Sequence, residues 1–146
     1  MTLRTQLQSF FTDLSRQNEL YALWAKRKGI RPSTMTVLYA LDQAAAICTQ
    51  GQIANQWLLP KQTVHTVVQE LEQAGYLVKE SKPGQKEKAL HLTPSGQQYA
   101  EELLAELYQA EEHTADAIGT ESFQQLIKMN HRFTELFEQE VLHGGD

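Results

Sequence analysis

Residues 49–96 read TQGQIANQWLLPKQTVHTVVQELEQAGYLVKESKPGQKEKALHLTPSG, and this stretch decides the fold. Thr49 or Gln50 is placed to cap a short helix over Gly51–Leu58. Pro60 stands near the first turn of a second helix, which runs to Ala74 and stops at Gly75. Tyr76–Lys82 then alternates apolar and polar residues, Pro83-Gly84-Gln85 marks a turn, and Lys88–Leu92 alternates again. Two helices joined by a tight turn and followed by a β-hairpin predict a helix-turn-helix with a wing.

The second helix has two chemically distinct sides. At about 100° per residue, Val64, Val67, Val68 and Leu71 share one face, and Gln62, His65, Thr66 and Gln69 share the opposite one. The polar face carries no acidic residue. Gln pairs bidentately with adenine, Thr bonds to base edges or touches a thymine methyl, and His donates or accepts. Thr63 stands beside this face, and Lys61 lies at the helix start, where a cation and free amides both suit phosphate. Lys82, Lys86 and Lys88 surround the hairpin tip, diluted by Glu87, and are the candidate wing contacts with DNA.

Working outward, Leu3, Leu7, Phe10, Phe11, Leu14, Tyr21 and Trp24 predict a long helix over residues 3–28, closed by Lys26-Arg27-Lys28-Gly29. Pro32-Ser33 opens another helix to about Gln43, and Ala44–Cys48 is short enough for a minimal strand. Thr93-Pro94 starts a helix to about Ile118, Gly119-Thr120 interrupts, and a last helix spans about Glu121–Leu142. The expected class is mainly α with a small β-hairpin wing. A winged helix-turn-helix lobe occupies residues 34–97, and residues 1–33 and 98–146 form a helical dimerisation lobe.

The 146 residues carry 41% apolar side chains, enough for a core, and a net charge of −5. That charge is unevenly spread. Residues 1–49 carry +3, residues 50–93 carry +1, and residues 94–146 carry −9. A chain that docks on phosphate must turn such an acidic end away from the duplex. No stretch approaches the roughly 20 apolar residues of a bilayer span, and the amphipathic start lacks a signal-peptide core, so a cytoplasmic location and no membrane partner are expected. The single cysteine, Cys48, excludes an internal disulfide and a Cys-based zinc cage.

Gln52-Ile53-Ala54, then Thr63-Val64, Leu71-Glu72-Gln73-Ala74-Gly75-Tyr76-Leu77, and finally Leu92-Thr93-Pro94-Ser95-Gly96 resemble, in order and spacing, the winged-helix signature of the MarR family. The long flanking helices are similar to that family's dimerisation layout. The resemblance implies a homodimeric transcriptional repressor that reads a palindromic operator in double-stranded DNA and is released by a small aromatic or phenolic effector. Two positions depart from the pattern. Gly84 and Lys86 stand where the family carries Asp-x-Arg, which predicts a more mobile wing, since a wing brace is lost and Lys lacks the planar fork of Arg. The turn before the recognition helix reads Leu58-Leu59-Pro60 where relatives often have Gly.

Phe10, Phe11, Phe123, Ile127, Phe133 and Phe137 are candidates for the dimer interface or the monomer core. Tyr21, Trp24, Tyr39 and Tyr99 are candidates for an effector pocket, or for core aromatics. Arg27, Lys28 and Arg31 are further phosphate candidates. Cys48, in an apolar run with no adjacent cation, reads as buried and inert rather than redox-active. Glu111, Glu112, His113 and Asp116 are close in sequence, but without a second well-spaced His or a Cys they make a poor metal set, and no metal or cofactor is expected. The sequence has no nucleophile–base pair, Gly-rich phosphate loop or metal-hydrolase motif, and so points away from an enzyme. A winged-helix protein–protein module is the competing reading, favoured by the +1 charge of residues 50–93 and the altered wing. A ligand carrier without DNA binding is a third.

Overall fold

The computed structural model describes residues 1–44 and 48–144. Among the described residues, six helices and one hairpin follow the order α1 (Leu3–Arg27), α2 (Pro32–Gln43), α3 (Gln50–Trp57), α4 (Lys61–Gln73), β1 (Leu77–Glu80), β2 (Ala89–Leu92), α5 (Pro94–Ile118) and α6 (Thr120–His143). The chain divides into two compact units, Met1–Ala105 and Glu106–Asp146, with the boundary inside α5.

Helix boundaries in the first unit follow capping chemistry. Thr2 caps α1 by accepting from Thr5 N–H at 3.2 Å. Pro32 opens α2, where its missing N–H costs nothing. Thr49, and not Gln50, caps α3. Its hydroxyl accepts from Gln52 N–H at 3.2 Å while the Gln52 side chain returns a bond to Thr49 N–H at 2.9 Å, a reciprocal capping box.

Three helices end in the same way, with two N–H groups folding back onto the last turn. After α1, Gly29 N–H bonds Lys26 O and Ile30 N–H bonds Ala25 O. After α4, Gly75 N–H bonds Glu72 O and Tyr76 N–H bonds Leu71 O. Both glycines have positive φ, at 75° and 81°. After α3, Leu59 N–H bonds Ala54 O, and the left-handed position belongs to Leu58, at φ 52° and 88% exposed. The departure at Leu58-Leu59-Pro60 is thus a helix stop of ordinary geometry that holds a strained leucine.

The core of this unit lies among α2, α3, α4, the hairpin and the start of α5. Leu38, Ile53, Val64, Val67, Val68, Leu77 and Leu104 are fully buried there. The hairpin pairs Leu77 with Leu92 and Glu80 with Ala89, antiparallel. Both strands are four residues long, shorter at the outer ends than the alternation suggests. Tyr76 is taken by the α4 stop, and Lys82 by the turn. Gln85 N–H bonds Lys82 O at 3.2 Å with Pro83 second and Gly84 third at φ 77°, a type II arrangement. The minimal strand expected at Ala44–Cys48 falls largely outside the described residues. Cys48 O itself accepts from Leu90 N–H at 2.8 Å, so β2 has a backbone partner on its other side.

A polar knot ties the end of α4 to the start of α5. Gly75 O accepts from the hydroxyls of Thr93 at 2.7 Å and Ser95 at 3.2 Å, and Tyr76 O accepts from Thr93 N–H at 3.0 Å. A Cβ on Gly96 would lie 1.9 Å from Tyr76 O, so the close approach needs glycine there. The Tyr76 ring stacks on Tyr99 at 4.5 Å. This knot is why Ala-Gly-Tyr-Leu and Leu-Thr-Pro-Ser-Gly occur together.

The second unit holds the end of α5 and all of α6. Gly119, at φ 99°, separates the helices. No residue of α6 is buried, and Leu126, Ile127, Met129, Leu136, Phe137, Val141 and Leu142 are exposed. Among the described residues no helix is long and apolar enough to cross a membrane.

Candidate nucleic-acid interface

α4 separates its two faces as its periodicity requires. Val64, Val67, Val68 and Leu71 are each 5% exposed or less. Gln62 and Gln69 are exposed, and Thr63, His65 and Thr66 are half-buried on the outer side. Thr66 donates to Gln62 O at 3.0 Å, with the Gln62 amide 3.5 Å from the hydroxyl. His65 Nδ1 lies 3.3 Å from Gln50 Oε1. A histidine nitrogen that carries its hydrogen can donate to this amide oxygen. Lys61, at the exposed N-terminal end, has no ion pair among the described residues.

The helix carries only two carboxylates, and each has a cation. Glu70 pairs with Arg31 at the start of α2, and Glu72 with Lys79 on β1 at 3.6 Å. Exposed pairs of this kind add little stability. Their consequence is electrostatic, because they cancel the negative charge nearest the polar face. Arg31 is therefore engaged by protein, and Lys28 lies over the Trp24 ring at 5.7 Å. The Arg31–Glu70 pairing was not legible in the sequence, since its partners are 39 residues apart.

In the wing, Lys86 and Lys88 are exposed and have no ion pair among the described residues. Lys82 lies 3.0 Å from Glu80, which also has His91 Nε2 at 2.9 Å, off the line of a well-aligned hydrogen bond. Lys82, first, and His91 hold the Glu80 carboxyl below its usual range. The absence of the family's bracing Asp predicts a loose wing, yet the hairpin has a brace. Glu87 Oε2 accepts from Gly51 N–H at 3.2 Å, joining the wing to the start of α3. Glu87 reads in the sequence only as diluted charge.

Two of the four aromatic pocket candidates come together. Tyr21 and Tyr39 line a cavity of 310 Å³ with Asn18, Met35, Thr36 and Trp57. Trp57 meets Tyr39 edge to face at 5.4 Å. Trp24 faces Lys28 and Tyr99 faces Tyr76, and neither lines this cavity. Trp57 reads in the sequence only as a tryptophan at a helix end, and the fold brings it from α3 to the tyrosines of α1 and α2. Of the interface candidates, Phe11, Ile127 and Phe137 are exposed and Phe10, Phe123 and Phe133 half-buried. Cys48 is half-buried, and burial pushes its thiol up. Among the described residues no three His, Cys, Asp or Glu side chains are grouped to hold a metal, Glu111, Glu112, His113 and Asp116 included.

Residues 28–86 match the model of the MarR family. No curated protein matches the sequence. The fold is similar to that of a MarR family regulator from Neisseria meningitidis (TM-score 0.80, 23% identity, covering 95% of this chain and 98% of that one). It is also similar to NadR in complex with 4-hydroxyphenylacetate (TM-score 0.68, 18% identity, 91% and 92% covered). A third similar structure is Staphylococcus aureus MarR in complex with salicylate and kanamycin (TM-score 0.68, 18% identity, 94% and 93% covered). Residues 28–86 thus resemble the MarR family, and the fold of regulators of that family is shared over nearly the whole length of the chain.

Proposed function

We propose that this chain is a homodimeric, sequence-specific regulator of transcription that acts in the cytoplasm on double-stranded DNA, as a repressor released by a small ligand. The observation that carries the reading is the outer face of α4. Gln62, His65, Thr66 and Gln69 present donors and acceptors there, and the helix's two carboxylates are both neutralised. In a two-fold dimer the α4 helices enter successive major grooves, with Lys61 and Thr63 on the backbone and Lys82, Lys86 and Lys88 along the flanking groove. Residues 34–97 form the DNA-binding lobe, and residues 1–33 and 98–146 the dimerisation lobe. The exposed apolar side chains of α6 support dimerisation, because large apolar groups left on one helix suit burial against a partner.

The effector site is the 310 Å³ cavity bounded by Tyr21, Met35, Tyr39 and Trp57. Two proteins of similar fold are complexes with 4-hydroxyphenylacetate and with salicylate, both small aromatic acids, and that chemistry suits an aromatic-lined pocket. Occupancy changes the separation of the two α4 helices and lowers affinity for the operator.

The test is binding to palindrome-bearing duplex from the gene's own promoter at two salt concentrations, for wild type and for His65→Ala with Gln69→Ala. Specific, salt-sensitive binding is expected, with each lost base contact weakening it by about 1–3 kcal/mol. A folded dimer with no specific binding at either salt supports the protein–protein module instead.

A further inference from the structure

The first turn of α3 touches both DNA-facing parts of the molecule. Gln50 Oε1 lies 3.3 Å from His65 Nδ1 on α4, and one residue later Gly51 N–H is taken by Glu87 of the wing at 3.2 Å. The first N–H groups of a helix have no partner within it. In α3, Gln52 N–H goes to the Thr49 hydroxyl and Ile53 N–H to Thr49 O, which leaves Gly51 N–H for a group from elsewhere. A carboxylate suits that place, because the helix start carries partial positive charge. Glycine at residue 51 leaves that approach open. A Cβ there would lie 2.8 Å from Glu87 Oε2 and 3.2 Å from Cδ.

We propose that Glu87 is a positioning residue for DNA binding: by docking on Gly51 N–H it sets the wing relative to α4. The inference rests on the reading of the chain as a DNA-binding protein. It also runs against simple electrostatics. An acidic side chain beside Lys86 and Lys88 should repel phosphate, so its removal should tighten binding. As a brace, its removal leaves the wing lysines without a fixed position, and specific binding weakens. Lys82 is held separately, through Glu80, so the Glu87 contact fixes the far side of the turn.

Three variants separate charge from position. Glu87→Ala removes both. Glu87→Gln removes the charge and keeps an acceptor. Gly51→Ala keeps the charge and crowds the carboxylate, which must shift to make room. We expect Glu87→Ala and Gly51→Ala each to weaken specific binding by about threefold to tenfold, the scale of one hydrogen bond, and Glu87→Gln to bind more tightly than Glu87→Ala. Tighter binding by Glu87→Ala, with Gly51→Ala unchanged, overturns the proposal. Amide hydrogen exchange in the DNA-free protein supplies the second readout. Wing amides from Lys82 to Lys88 should exchange faster in Glu87→Ala and Gly51→Ala than in Glu87→Gln. Equal exchange in all three overturns the brace. If wild type binds no specific DNA, the function proposed above fails, and the exchange data still decide whether Glu87 holds the wing.

Discussion

α4 and α6 are both amphipathic helices, and they differ in where their apolar faces go. In α4, Val64, Val67, Val68 and Leu71 are buried, and the polar face is left outside. In α6 no residue is buried, and Phe137 is 53% exposed. The charges differ in parallel. Residues 1–105 carry 11 Lys/Arg against 9 Asp/Glu, and residues 106–146 carry 2 against 9. A helix whose stripe is covered within its own unit can offer its other face to a ligand. A stripe left uncovered in the single chain is the surface that the proposed dimer would use, and the acidic charge around it disfavours nucleic acid there.

The largest effect that sharpens this contrast is on stability. Leu38→Ala, in the core beneath α4, should cost about 3 kcal/mol, read from denaturant unfolding. Leu136→Ala, on α6, should cost almost nothing at protein concentrations low enough to dissociate a dimer, and a cost that grows with concentration should appear above them. Next is association. Ile127→Glu combined with Phe137→Glu should halve the mass in sedimentation and leave the circular dichroism of the first unit's helices in place. A doubly substituted protein that stays dimeric would break the contrast.

Smaller effects lie in the first unit. Leu58→Gly should raise stability by about 0.5 kcal/mol, because relief of the left-handed strain exceeds the added freedom of the unfolded chain, and the exposed side chain buries little. The smallest concerns the hairpin. The Glu80 carboxyl is held low by Lys82 and His91, so its contribution is present above about pH 4.3, the ordinary Glu value, and fades as pH falls through its lower folded value. Lys82→Ala should bring the Glu80 titration, followed by carboxyl NMR, back toward that ordinary value.

Local rules carried most of the fold. Apolar spacing at three and four residues marks α1, α2, α4 and α6, and Pro32, Thr49, Gly75, Thr93 and Gly119 mark edges of α2 to α6, because caps and stops act over a few residues. The division of α4 into a buried valine side and an outer Gln/His/Thr side was legible for the same reason. What the sequence withheld depends on contacts between distant residues. Arg31 with Glu70, Gln50 with His65, and Glu87 with Gly51 join positions 39, 15 and 36 apart. The wing was the clearest such case. The missing family Asp suggested a loose hairpin, and only the fold brings a different carboxylate, from Glu87, to the end of α3. The aromatic cavity was half legible, because Tyr21 and Tyr39 share a helix pair while Trp57 arrives from α3.

The central claim, that α4 reads DNA as one of a two-fold pair, is tested most directly by selecting bound duplexes from a random pool with the wild-type protein and with Gln62, His65, Thr66 and Gln69 all replaced by Ala. The account predicts that wild type enriches an inverted repeat with half-site centres about 10 bp apart, one helical turn, and that the substituted protein enriches none. Enrichment of the same repeat by both proteins, or of no sequence by either, would contradict it.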